Sequence, residues 1–95
     1  MLSESLVENL FREIEWIIAR TKVIKISIKG TKNNKLKIRL KKEFLSLTKR
    51  LGIIQTISFN IYKITKDPSC LSGLLVEKCK RTEYELHNSK ELFFT

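Results

Sequence analysis

The segment Lys22-Val23-Ile24-Lys25-Ile26-Ser27-Ile28-Lys29 and its neighbour Lys35-Leu36-Lys37-Ile38-Arg39-Leu40-Lys41 decide how this chain is read. In the first, Ile24, Ile26 and Ile28 alternate with Lys25, Ser27 and Lys29. In the second, Leu36, Ile38 and Leu40 alternate with Lys35, Lys37, Arg39 and Lys41. Side chains of a strand point to opposite faces in turn, so a period of two predicts two strands, each with one apolar and one basic face. Gly30-Thr31-Lys32-Asn33-Asn34 between them is rich in turn formers, which makes the pair a hairpin.

Towards the N-terminus, residues 3–20 have helical spacing. Ser3 or Ser5 can cap the helix, and Ser5 with Glu8 fits a capping box. Leu6, Val7, Leu10, Phe11, Ile14, Ile17 and Ile18 form one broad apolar face, and Trp16 falls on the polar side beside Asn9, Arg12 and Arg20. Towards the C-terminus, residues 42–51 read as a second helix, with Phe44, Leu47, Thr48 and Leu51 inside, Lys42, Ser46, Lys49 and Arg50 outside, and Gly52 as its stop. The β-branched run 53–65 predicts a third strand, Ile57, Phe59 and Ile61 opposing Thr56, Ser58, Asn60 and Tyr62, ended by Asp67-Pro68-Ser69. Beyond Pro68, residues 70–80 read as a short helix, with a strand over 74–79 as the competing reading, and 82–87 alternate as a strand would.

The fold expected is therefore α+β: a small antiparallel sheet with two helices packed on one face, in the order α-β-β-α-β followed by a mixed tail of short helix or strand. At 95 residues the chain makes a single domain, 1–95, with one core. No apolar run is long enough for a transmembrane helix. The opening MLSESLVENLF lacks a basic n-region, which speaks against a secretory signal and for an intracellular location. Cys70 and Cys79 make no disulfide framework and read as two buried thiols, and with the single His87 they make no zinc site. No metal or cofactor is expected. The abundance of lysine and isoleucine with one alanine suits an AT-rich coding sequence or a heat-adapted source.

Charge is segregated along the chain. Residues 1–20 carry a net −2, residues 21–66 a net +12 and residues 67–95 a net −1. In the expected sheet the solvent face collects Lys25, Lys29, Lys35, Lys37, Arg39 and Lys41 with Asn60 and Tyr62, extended by Lys42, Lys49 and Arg50 of the second helix. Such a face draws phosphates and releases counterions, while Asn60 and Tyr62 make closer contacts. The function expected is non-catalytic binding of nucleic acid, DNA or RNA, with weak sequence preference. The alternative is a protein-interaction module, a small subunit or inhibitor docking on an acidic partner, with Trp16, Phe93 and Phe94 as its contacts. An exposed hairpin edge and Trp16 leave room for a homodimer. Phosphate loops, paired carboxylates and nucleophile motifs are missing, so no enzyme is expected and no catalytic residue is named.

Over residues 3–65 the expected order of elements resembles one LAGLIDADG unit, whose curved sheet lies in a DNA groove. The motif itself is absent: the first helix ends Trp16-Ile17-Ile18-Ala19-Arg20 without an acidic metal ligand, so the resemblance implies binding and not cleavage. Asn60-Ile61-Tyr62-Lys63-Ile64-Thr65 is similar to the opening of GIY-YIG nucleases, but no second Tyr-Ile-Gly half follows. Neither resemblance assigns a family.

Overall fold

Residues 4–65 and 71–94 are described by a computed structural model. They form three helices, α1 (Glu4–Gly30), α2 (Asn34–Thr65) and α3 (Leu71–Phe94), and among the described residues only 31–33 lie outside them. The expected α+β class is corrected to all-α: 22–29, 35–41, 53–65 and 82–87 are helical, and the described residues contain no strand.

The physical reason lies in a longer spacing than the one that alternates. On α1 the buried residues are Val7, Leu10, Ile14, Ile17, Thr21 and Ile24, with Ile28 packed against them. On α2 they are Leu40, Phe44, Leu47, Leu51, Ile54, Ser58 and Ile61, and on α3 Leu75, Cys79, Thr82, Leu86 and Ser89 are among them. Steps of three and four alternate without a break, two positions in every seven, which is the seam of helices packed as a coiled coil. Ile24 and Ile28 are one helical turn apart and continue the seam begun at Val7. Ile26 is carried to the outside, where it is 72% exposed, and Ile38 likewise stands out at 55%. Local β-propensity is a weak preference that packing overrides.

Gly52, expected as a stop, lies inside α2, and the seam runs on through Ile54, Ser58 and Ile61. Three of the seam's hydroxyls are satisfied within their own helices. Ser58 Oγ donates to the Ile54 carbonyl at 2.7 Å, Thr82 Oγ1 to that of Lys78 at 2.8 Å and Ser89 Oγ to that of Glu85 at 2.8 Å. Thr21 Oγ1 alone among the buried side-chain polar atoms described has no partner.

The turn formers at 30–34 do reverse the chain, but between helices. Asn33 caps α2, its Oδ1 accepting from the backbone N–H of Lys35 at 3.0 Å and of Leu36 at 3.3 Å. Thr31 Oγ1 accepts from the Asn33 N–H at 3.2 Å and fixes the approach. A link this short makes α1 and α2 antiparallel. Pairing fixes the rest. Arg20 donates to Glu43 at 2.5 and 2.9 Å and Arg50 to Glu13 at 2.6 and 2.9 Å, both across α1 and α2. Gln55 Nε2 donates to Glu83 at 2.8 Å across α2 and α3. Lys78 of α3 meets Glu15 of α1 and lies 6.0 Å from the centroid of the Phe11 ring, and one heptad on Glu85 comes beside Lys22, so α3 runs parallel to α1. The result is an up-down-up bundle of 50 × 22 × 16 Å, its long dimension set by α2.

Phe44, fully buried, sits in the α2 seam. Phe44→Ala is expected to cost about 3–5 kcal/mol in urea unfolding. Thr21→Val keeps the shape and removes the unpartnered hydroxyl, and is expected to gain about 1 kcal/mol in the same measurement.

Candidate nucleic-acid interface

Two helix ends and the turn between them gather the basic residues. The last third of α1 brings Lys22, Lys25 and Lys29, the turn brings Lys32, and the first third of α2 brings Lys35, Lys37, Arg39, Lys41 and Lys42. No acid occurs between Glu15 and Glu43, and Glu43 is taken by Arg20. Lys22, Lys29, Lys32, Lys35, Arg39 and Lys42 are exposed; Lys25, Lys37 and Lys41 are half-buried. Along the outer surface of α2, Lys35, Lys42, Lys49 and Lys63 are exposed and share one row in register with the seven-residue repeat. Lys35, Lys42 and Lys49 follow one another about 10.5 Å apart, and Thr56 stands between Lys49 and Lys63.

The acidic start of α1 does not neutralise this tip. Helical rise puts Glu15 about 21 Å along the axis from Lys29, farther than the Debye length of about 8 Å at physiological salt. On α3, Glu85 comes beside Lys22 and Lys25 at a small cleft. It offsets part of one side of the tip and leaves the turn and the outer face of α2 basic.

The flat face expected from the sequence is not formed, because the described residues contain no sheet to carry it. Lys25, Lys29, Lys35, Lys37, Arg39, Lys41 and Lys42 do come together, around a helical hairpin, and Lys49 extends them along α2. Asn60 and Tyr62 belong to the far half of α2. Tyr62 is about 35 Å along the helix axis from Arg39. Arg50 is occupied by Glu13, which raises the guanidinium pKa further. Lys22 and Lys32 join the tip and were not singled out by alternation; the acid-free run from residue 16 to residue 42 was the signal that contained them.

Trp16 is 56% exposed and heads an outward row on α1 with Ala19, Val23 and Ile26, which repeats the three-and-four spacing on the opposite side from the seam. Phe93 and Phe94 fall in the last turn of α3, and their side chains lie outside the described residues, as does Cys70. Cys79 is buried beside Ser58 Oγ at 3.6 Å, and burial pushes its thiol up. Among the described residues no cluster of His, Cys, Asp and Glu could hold a metal ion, and no helix is long and apolar enough to cross a membrane. Comparison with protein-family models, curated proteins and solved structures found no match.

Arg20 hydrogen-bonded to Glu43 holds that carboxyl below the ordinary carboxylate range. A group lowered in the folded state contributes stability above its unfolded pKa and loses it as pH falls through the folded one. Glu43→Gln is therefore expected to lower the urea midpoint near neutral pH and to leave it almost unchanged in acid below both pKa values, as read by paired urea titrations.

Proposed function

We propose that this chain binds nucleic acid without catalysis, through the basic tip of the α1–α2 hairpin. The observation that supports the reading is the acid-free run of Lys and Arg folded back on itself at residues 22–42 and left open to solvent on α2. Two antiparallel helices double the linear density of positive charge at their junction. Like charges that close repel one another, and a polyanion relieves the repulsion while releasing its condensed counterions. Lysine outnumbers arginine at the tip, which suits backbone contact rather than base reading, so sequence preference is weak. On this reading the chain works inside the cell.

A second reading, docking on an acidic protein, draws on the exposed row Trp16, Val23 and Ile26, because a protein interface centres on an aromatic anchor and nucleic-acid backbone does not. In that case the tip steers the encounter and Trp16 carries affinity. A second copy of the chain is the other occupant that this row allows.

Fluorescence anisotropy with labelled single- and double-stranded DNA and RNA at two salt concentrations tests the proposal. Wild-type binding is expected to weaken steeply with salt. The pair Lys35→Glu and Arg39→Glu should weaken it at least about tenfold and reduce the duplex salt slope by about two. Glutamate at position 35 suits the positive end of α2, so helix content should hold. Unchanged affinity in that double variant would remove the tip from the site. No binding to any nucleic acid at low salt would transfer the tip to a protein partner, for which Trp16→Ala is the informative variant.

A further inference from the structure

The outer surface of α2 has a second row, on its side towards α3. Ile38, Leu45 and Phe59 are exposed members of it, and Gly52 stands where the repeat calls for another large side chain. Glycine inside a helix costs about 1 kcal/mol relative to alanine. Its usual justifications are missing here. The backbone of Gly52 is helical, and a Cβ built on it meets nothing within 4 Å, so no neighbour presses close. The missing side chain leaves a notch, and at the notch a groove of about 490 Å³ opens between α2 and α3. That volume lies within the roughly 300–1,000 Å³ of small-ligand sites.

The groove has two kinds of surface. Leu51 and Leu86, each 2% exposed, lie beneath Gly52 as an apolar floor, and Tyr84 adds a ring at the outer lip. The charges are placed unevenly. Lys90 and His87 line the groove on one side of the notch. Towards the other side stands Glu83, held by Gln55, and beyond it Lys80, whose Nζ lies 5.8 Å from the centroid of the Phe59 ring. Glu83 and Lys80 offset each other at one end, while Lys90 stands at the other, where the lining holds no acid, so an anionic group is drawn to the Lys90 end and the floor between takes a flat apolar body.

We propose that the Gly52 notch is a binding site for a small aromatic anion, its ring on the Leu51–Gly52–Leu86 floor and its acidic group at Lys90. The site lies on the α2–α3 side of the bundle and is independent of the basic tip, so it stands or falls apart from nucleic-acid binding.

The probe is 8-anilinonaphthalene-1-sulfonate, compared with N-phenyl-1-naphthylamine, which has the same rings and no sulfonate. The wild-type chain is expected to bind one equivalent of the sulfonate, with rising blue-shifted fluorescence, and to bind the neutral dye at least about tenfold more weakly, the factor a charge-assisted contact is worth. Gly52→Leu fills the notch and should abolish the signal while helix content stays and the melting temperature does not fall, since leucine is the better helix former. Lys90→Gln should weaken sulfonate binding about tenfold and leave the neutral dye unchanged. The pair Lys35→Glu and Arg39→Glu should bind the dye as wild type does. Undiminished sulfonate binding by Gly52→Leu would overturn the proposal, as would equal affinity for the two dyes or loss of binding in the tip variant.

Discussion

Burial of one seam that advances 3.5 residues at a time is the constraint on which the rest depends. Each helix offers a narrow stripe rather than a broad face, and a stripe that narrow is covered only if two other helices lie alongside it for its whole length. That requirement makes the helices long, the turn between α1 and α2 short and the bundle slender. It also sorts charge. Residues that flank the seam meet across helices and pair, as Arg20 and Glu43 do, while residues opposite the seam have nothing to meet. Lys35, Lys42, Lys49 and Lys63 of α2 lie on the side opposite the seam and remain open to solvent.

Much of this was legible, and the failures have a common cause. Helix 1 as far as Arg20, the reversal at 30–34, the outward position of Trp16 and the concentration of charge in the middle of the chain all follow from local composition and spacing. The strands at 22–29 and 35–41 do not, because period two and period 3.5 share members. Ile24 and Ile28 satisfy both, and only the alignment of Ile24 with Thr21, Ile17 and Ile14 separates them. That alignment passes through a threonine on α1 and a serine on α2, which a search for apolar residues skips. Gly52 misled for a related reason: a glycine signals a helix end only when nothing beyond it continues the seam, and Ile54 does. The mutual position of site residues was beyond local reading altogether. Glu13 and Arg50 are 37 positions apart, so the loss of Arg50 to an ion pair needed the tertiary arrangement.

The three helices do not contribute equally to the core. α1 and α2 present Val, Leu, Ile and Phe at most seam positions, whereas on α3 Cys79 and Thr82 stand between Leu75 and Leu86, and Ser89 follows. The Thr82 and Ser89 hydroxyls bond back to their own helix, so neither is left without a partner. The α2–α3 groove thus lies against the helix whose described seam is the more polar.

The two ion pairs across α1 and α2 alternate in sign along the hairpin: acid on α1 meets base on α2 at Glu13 and Arg50, and the order is reversed at Arg20 and Glu43. A uniform seam of Leu and Ile would tolerate sliding by one heptad, since every knob would find another hole. Here a slide in one direction sets Arg20 against Arg50, and in the other Glu13 against Glu43. The hairpin therefore carries its own vernier, in which only one alignment of the scales is free of repulsion, and the basic tip owes its fixed shape to charges about ten to thirty ångströms away along the helix axes.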